Sequence, residues 1–524
     1  MHIIIPMSGF GERFRKAGYS VPKPLIEVDG RPIIEYVVNM FPGETHFSFI
    51  CNRDHLNNDK YRMKEILSEV CPSGRIIGIK PHKLGPVHAV MQIDSYIDNN
   101  EPVIVNYCDF SCYWKYKDFK EFVLDENLDG AIPSYRGFHP HTIWSNYYAY
   151  LKTKNNLLID IQEKKPFTKD PKKEFASSGT YYFKNGKILK DYFTKCIDLE
   201  LKVNEEYYVS MVYKEMINDG LAIKPFELEH FMQWGTPRDL KDYLYWSDIF
   251  RKYTNQKNPI DGTLIMPMAG RGSRFDHEDY ELPKPLIPIN KVPMAVKAYK
   301  DLPISKRNLS ILRKDLPSLD LLKKELKTSF ENLDFYELEE LTNGQAISCY
   351  EAIKNTKDID LPLTISACDN GVIYDYKEFM SLVENSSIDI IVWVAKGYPG
   401  ASRNPEMYGW ADVDSDGIVS GVSVKKPLLN PEKDSVIIGT FTYKHSDSFL
   451  RAVEALVKRN GTVNSEFYID SSLQDSIDQG KRVAAFEVDK YLCWGTPNDL
   501  KTYEYWQSCF NKWDEHPYKI INKP

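Results

Sequence analysis

The sequence predicts an α/β protein made of two tandem domains, each a mostly parallel, mixed sheet flanked by helices. Three observations carry that prediction. A cassette, PMSGFGERF at Pro6 to Phe14 followed by PKPL at Pro22 to Leu25, recurs as PMAGRGSRF at Pro267 to Phe275 followed by PKPL at Pro283 to Leu286. In both copies the lysine lies 17 positions after the first proline (Pro6 to Lys23, Pro267 to Lys284). Later matches keep an offset of 260: Asp109 with Asp369, Gly179 with Gly439, and Asn204, Glu206 and Tyr208 with Asn464, Glu466 and Tyr468. A repeat of that period spans whole domains, not a motif. Finally, short apolar runs alternate with helical stretches, the pattern of a sheet covered by helices on both faces.

The elements follow in order. HIIIPM, HFSFIC, GRIIGI, PVIVNYCDF and DGAIPSY read as strands, with IEYVVNMF and YRMKEILSEV as helices between them. In 524 residues two domains of about 260 each find room for a full core. The first domain is expected over 1–250, a linker over 251–261 and the second domain over 262–524. The break falls in RKYTNQKNPIDG, a polar stretch with a proline. Near the end of each domain, WGTPRDL and WGTPNDL precede the aromatic helices DYLYW and TYEYW. The apolar run DIIVWVA is far too short to span a bilayer and reads as a buried strand.

Composition removes several function classes. Net charge is −7 with no basic block, which argues against a nucleic-acid footprint. Nine cysteines without C-x-x-C pairs argue against a zinc site or disulfide framework. With an opening strand in place of a charged and apolar leader, a cytoplasmic protein without a membrane span is expected. His139 and His141 read as surface or hydrogen-bonding residues, not a metal pair.

The chemistry concentrates in the cassette. After the opening strand the chain turns through Ser8, Gly9, Phe10 and Gly11, and a helix is expected from Glu12 or Arg13. Ala269, Gly270, Arg271 and Gly272 form the second copy. Glycines let backbone N–H groups approach a ligand, and a helix start adds a positive dipole end, so the loop suits phosphate. In open α/β sheets that position, beyond the carboxyl ends of the strands, is where ligands bind. Arg13 and Arg274 follow the loops. Lys23 and Lys284 are each held between prolines, on what is expected to be a stiff extended segment.

These motifs, with the turns VDGRPIIEY and INKVPMAVK after PKPL, resemble the sugar-phosphate nucleotidyltransferase family. The resemblance implies a Rossmann-like catalytic fold shared with GT-A glycosyltransferases, present twice. It also implies transfer of a nucleotidyl group from an NTP to a sugar 1-phosphate or similar phospho-acceptor, with release of pyrophosphate. Arg13, Lys23, Arg274 and Lys284 would then be catalytic. The two loops, with Gly85 in KLGPVHAVM and Gly344 in LTNGQAISC, would hold the nucleotide. Asp109 and Asp369 match the family's strand-end aspartate and would bind Mg2+ or Mn2+. Glu163 and Lys164 match its E-K-P, and Gly179 and Gly439 the strand near the acceptor. Surface-polysaccharide precursor synthesis, for capsule or lipopolysaccharide, is the setting the resemblance implies.

Several positions depart from the family's pattern. Val424 stands where Glu163 does, so Lys425 keeps the anion contact without the carboxylate. Gln233 and Cys493 replace the family's second metal-binding aspartate, which leaves Glu227 and Glu229 (Glu487 and Asp489 in the second copy) or Glu206 and Glu466 as substitutes. Glu12 puts a carboxylate into the first loop. Two alternatives stand beside the main reading: one domain is a nucleotide-binding pseudoenzyme that regulates or scaffolds the other, or the protein is a GT-A glycosyltransferase lacking the usual D-x-D pair. The base, the acceptor and the oligomeric state are left open.

Overall fold

The computed structural model of the protein describes residues 1–252, 259–276, 278, 280–357 and 359–517. The chain forms two compact units, Met1–Asp248 with Tyr505–Pro524, and Ile249–Glu504. The C-terminal segment, expected within the second domain, therefore groups with the first. Of the expected linker, residues 253–258 lie outside the described residues.

In the first unit the strand His2–Met7 pairs in parallel with Phe47–Asn52 on one side and Val103–Asn106 on the other, and Arg75–Ile79 continues the parallel sheet outward. Ile3, Ile4 and Ile5 are all fully buried, which is why the run is continuously apolar rather than alternating. Each such side chain contributes about 1.5–3 kcal/mol relative to exposure. Beyond Val103–Asn106 the direction reverses: Thr180–Phe183 joins antiparallel and then pairs with Gly130–Tyr135, beside which Ile223–Glu227 runs parallel. The helices Gly85–Met91, Gly186–Asp198 and Val209–Asn218 bury Val87, Val90, Leu189, Phe193, Val212 and Met216 in one core with these strands.

A hairpin, Ala149–Lys154 with Leu157–Glu163, extends this sheet. It turns at Asn155 and Asn156, with φ of 50° and 62°, the left-handed pair that asparagine tolerates in a two-residue hairpin turn. The loop before Val209–Asn218 uses the same device: Asn204 and Glu205 have φ of 52° and 64° between the bridged residues Val203 and Glu206.

The second unit has the same strand order. Its centre is Pro259–Pro267, parallel to Ile304–Arg313 and Leu363–Ser366, with Ser435–Tyr443 joining antiparallel and Ile390–Ala395 beyond it. The run expected to be a buried strand is Ile390–Ala395, and none of its side chains is more than 2% exposed. The hairpin Gly409–Val413 with Val419–Val424 occupies the place of the first unit's hairpin. No helix among the described residues is long and apolar enough to cross a membrane.

Candidate functional site

In the first unit the glycine loop leaves the opening strand at Met7, and a short helix, Glu12–Lys16, starts at the expected place. Gly11 precedes it with φ 61°, a left-handed conformation suited to glycine. The PKPL segment is only partly as expected. Pro22 is extended (φ −56°, ψ 145°), but Lys23 opens a 3-10 turn, Lys23–Leu25. That turn sets the lysine against the loop: a Cβ on Gly11 would lie 3.8 Å from Lys23 Cβ. Lys23 Nζ then donates to Asp109 Oδ2 at 2.5 Å. Asp109 follows the strand Val103–Asn106, so the pair stands at the carboxyl end of the parallel strands.

These residues line a cleft of about 560 Å3. Its wall includes Ser8, Gly9, Phe10, Gly11, Arg13, Gly85, Glu163, Lys164 and Gly179, so every predicted site residue of the first unit is brought together there. The carboxylate of Glu12 is paired with Lys83, 2.6 Å distant, which also sits over the Phe10 ring, and all three residues line the cleft. That hydrogen bond and charge hold Glu12 below the usual carboxylate range. Lys164 has φ 59° and donates to Tyr208 OH at 2.6 Å, while Ser210 Oγ donates to Glu163 Oε2 at 2.7 Å. Burial raises Glu163 above the usual carboxylate range, and Ser210 and Lys164 oppose that.

The second unit repeats the centre of this arrangement. Lys284 opens the turn Lys284–Leu286, and its Nζ donates to Asp369 Oδ2 at 2.5 Å. Burial would raise Asp369, but the Lys284 ammonium holds it below its ordinary range. Gly272 has φ 72°, and a Cβ on it would lie 3.2 Å from Lys284 Cβ. A turn, not a helix, follows this loop. Burial acts first on Lys284, Asp369 and Lys425, and the charge of Arg274 also acts on all three. Ala269 is buried, while Gly270, Arg271 and Arg274 are exposed.

Gly85 and Gly344 have a local reason to be glycine. At φ 86°, a Cβ on Gly85 would lie 2.7 Å from Tyr207 O; at φ 120°, one on Gly344 would lie 2.5 Å from Phe467 O. Each glycine thus lets the loop after the asparagine turn close over a helix start. Gly179, φ 96°, packs against the Tyr107 ring, and Gly439, φ 77°, against Ala367.

The donor sets at the strand ends differ between the units. A Cβ on Gly235 would meet Asp109 Oδ2 at 3.0 Å and Gln233 Nε2 at 3.1 Å, so carboxylate and carboxamide stand side by side. The carboxylate suits a hard cation that completes its shell with phosphate oxygens and water, whereas Gln233 turns its Nε2, a donor, to this point and would ligate only through its carbonyl oxygen. The equivalent point by Gly495 is 2.9 Å from Asp369 Oδ2 and 3.5 Å from Cys493 Sγ. Burial pushes the Cys493 thiol far up, and a protonated thiol is no ligand for such a cation. Glu227 and Glu229 are engaged elsewhere: Arg136 binds Glu227 at 2.8 Å and Lys512 pairs with Glu229. Glu206 does line the cleft.

His139 and His141 are buried, not on the surface. His141 Nε2 is 3.0 Å from Tyr135 OH, and burial lowers both imidazoles, His139 to about 3. Another grouping, His2, His46 and Glu101, lies at the start of the opening strand, with the two imidazoles stacked 3.9 Å apart. Sequence reasoning did not single out Tyr107, Tyr181 or Asp239, all of which line the cleft. Asp239 was legible as a helix start: Thr236 and Asp239 of WGTPRDL exchange hydrogen bonds, and Thr496 and Asp499 do the same. Burial raises Asp239 to about 6.

Residues 3–250 match the Nucleotidyl transferase family. That match covers just under half of the chain and most of the first unit, including its whole cleft. Among curated proteins, the chain is similar to the Bifunctional protein GlmU of Clostridioides difficile, 25% identical over 272 residues, covering 50% of this chain and 54% of that protein. GlmU of Thermosipho africanus is 24% identical over 217 residues, covering 41% and 43%. The chain therefore spans about half the length of the curated relatives it matches. Among solved structures, a nucleoside-diphosphate-sugar pyrophosphorylase from Vibrio cholerae superposes with TM-score 0.38 at 20% identity, covering 46% of this chain and 99% of that one. An inositol-1-phosphate CTP transferase from T. maritima gives TM-score 0.38 at 14% identity, covering 48% and 97%.

Proposed function

We propose that the protein is a nucleotidyltransferase built from two related units in tandem, which joins the nucleotidyl group of an NTP to the phosphate of a small phosphorylated acceptor. The observation that carries this reading is the lysine–aspartate pair, 2.5 Å apart behind a glycine loop at the strand ends, present in both units. The family match over the first unit supports it. A sugar 1-phosphate as acceptor, and a setting in surface-polysaccharide precursor synthesis, follow from the family resemblance alone.

The reaction asks for charge management more than proton transfer. An oxygen of the acceptor phosphate, already anionic at neutral pH, attacks the α-phosphorus of the NTP; the bond to the bridging oxygen breaks and pyrophosphate leaves with the electron pair. Two anions must be brought together, so positioning and electrostatics carry the catalysis. Backbone amides of Ser8 to Gly11 face the triphosphate, Arg13 neutralises the departing pyrophosphate, and Lys23 stands at the reacting phosphates. Glu163 accepts hydrogen bonds from acceptor hydroxyls and Lys164 meets its phosphate. Asp109, with Gln233 beside it, would hold Mg2+ or Mn2+, which screens phosphate charge when bound.

Pyrophosphate release, measured with each of the four NTPs against a panel of sugar 1-phosphates and phospho-alcohols, tests the reading. Turnover with at least one pair is expected. Sugar transfer from an NDP-sugar, without pyrophosphate release from any NTP, would overturn it in favour of a glycosyltransferase.

A further inference from the structure

In the first unit, positions 163 and 210 meet. Glu163 ends the strand Leu157–Glu163, Ser210 lies in the first turn of the helix Val209–Asn218, and Ser210 Oγ donates to Glu163 Oε2 at 2.7 Å. Ala149 pairs with Glu163 across the hairpin, and both line the cleft beside Lys164.

Backbone register identifies the counterparts in the second unit without regard to residue type. Val424 pairs with Gly409 as Glu163 pairs with Ala149. The Lys425 amide donates to Tyr408 O at 3.0 Å, as that of Lys164 donates to Tyr148 O at 2.9 Å, and both lysines have φ near 60°. The helix Ile469–Asp478 follows Tyr468 as Val209–Asn218 follows Tyr208, which puts Asp470 in the place of Ser210.

All three positions differ together: Ala149, Glu163 and Ser210 become Gly409, Val424 and Asp470. Taken singly, Val424 reads as the loss of a carboxylate. Taken jointly, the substitutions move one across a contacting pair, from the strand to the helix. Gly409 supplies the decisive detail. Its φ is not in the left-handed region, so no backbone demand calls for glycine; instead a Cβ there would lie 2.1 Å from Asp470 Oδ2. The Asp470 carboxylate thus occupies space that a methyl group at position 409 would fill. Burial raises Asp470 to about 6 and lowers Lys425, each charge partly opposing the shift of the other, while Lys425 Nζ donates to Met407 O.

We propose that Asp470 is the acceptor-recognising carboxylate of the second unit and that, with Lys425, it takes a phosphorylated acceptor whose hydroxyl groups donate to it. The acceptor class rests on the nucleotidyl-transfer reading above; the relocation of the carboxylate rests on the geometry alone. Because the carboxylate comes from the helix and not the strand, it approaches the acceptor from another side. Ala367 in place of Tyr107, and Ile437 and Ile438 in place of Ser177 and Ser178, reshape the same wall. The two units are therefore built for different acceptors.

Two measurements on the full chain test this. The first needs no substrate: thermal midpoints of Val424→Glu, Asp470→Ser and the double variant. Val424→Glu alone should lower the midpoint by several degrees, because it sets a second carboxylate beside Asp470, and adding Asp470→Ser should recover most of that loss. Additive shifts would overturn the relocation. The second is made in a Lys23→Ala background, where pyrophosphate release reports the second unit, using each NTP with glucose 1-phosphate, mannose 1-phosphate, N-acetylglucosamine 1-phosphate, myo-inositol 1-phosphate or choline phosphate. Asp470→Asn should raise KM for the acceptor at least tenfold and leave that for the NTP within twofold. An unchanged acceptor KM, or turnover with hydroxyl-free choline phosphate alone, would overturn the assignment. If the Lys23→Ala chain releases no pyrophosphate with any pair, the nucleotidyl-transfer reading of the second unit falls, and the thermal cycle still decides the relocation.

Discussion

Lys23 Nζ sits 2.5 Å from Asp109 Oδ2, although the two residues are 86 positions apart in the chain. The loop, the proline-flanked turn and the strand end all converge on that contact. The two side chains remain 21% and 24% exposed and line the cleft, so the pair is built into the site and not into the core.

Lys23→Ala should therefore affect catalysis far more than folding. A partly exposed ion pair stabilises a fold by about 1 kcal/mol or less, whereas one group aimed at charge in a transition state commonly carries a factor of about 100 or more in turnover. Pyrophosphate release and the urea midpoint, measured on the same preparation, separate the two effects.

Gly9 and Gly85 should respond in opposite ways to alanine. A Cβ on Gly9 meets nothing within 4 Å, so Gly9→Ala should change stability by no more than about 0.5 kcal/mol. It should still raise KM for the NTP, since the added methyl would stand where phosphate approaches the backbone. Gly85→Ala drives a methyl into the Tyr207 backbone at a positive φ and should cost about 3 kcal/mol. Urea midpoints and KM values for both variants check this.

Glu163→Gln should raise KM for the acceptor about tenfold with little change for the NTP, because it removes a charge that accepts from hydroxyls while keeping the shape and the Ser210 hydrogen bond. Steady-state kinetics with each substrate varied in turn will read it. An equal rise for both substrates would place Glu163 outside the acceptor subsite.

Acid should weaken the first unit through its buried histidines. Burial lowers His139 to about 3, while the unfolded chain titrates near 6.5. Between those values the unfolded state binds the extra proton, so the stability His139 contributes is complete above about pH 6.5 and is lost as pH falls. From pH 7 to pH 5 the loss is about 2 kcal/mol for this residue. Asp239, raised to about 6, acts with the opposite sign in the same range. The difference in unfolding free energy between the two pH values should shrink by about 2 kcal/mol in His139→Gln.

Much of this was legible in the sequence, because local motifs fix local geometry. The glycine loop, PKPL and the strand-end aspartates are short contiguous patterns, and an offset of 261 for the cassette and 260 for the later motifs aligned both copies. The continuous apolar run at Ile3 to Ile5 announced a strand buried on both faces. What stayed hidden depends on contacts between distant segments. Gly85 lines the cleft as expected, but that Tyr207, far along the chain, also requires a glycine there is visible only in the fold. Val424 reads as a lost carboxylate because Asp470 lies on another element; strand register sets Val424 opposite Gly409, and the Asp470 carboxylate fills the space a Cβ there would take. His139 and His141 read as surface or hydrogen-bonding residues; they are buried with the Tyr135 ring packed against both, and His141 Nε2 lies 3.0 Å from Tyr135 OH.

The central claim is that each unit carries its own lysine-dependent nucleotidyl-transfer site. The most direct test is pyrophosphate release across the substrate panel by four full-length chains: the unaltered protein, Lys23→Ala, Lys284→Ala and the double variant. Each single variant is predicted to lose turnover with a different set of acceptors, and the double variant to lose all of it. Full activity in the double variant with every pair would contradict the account.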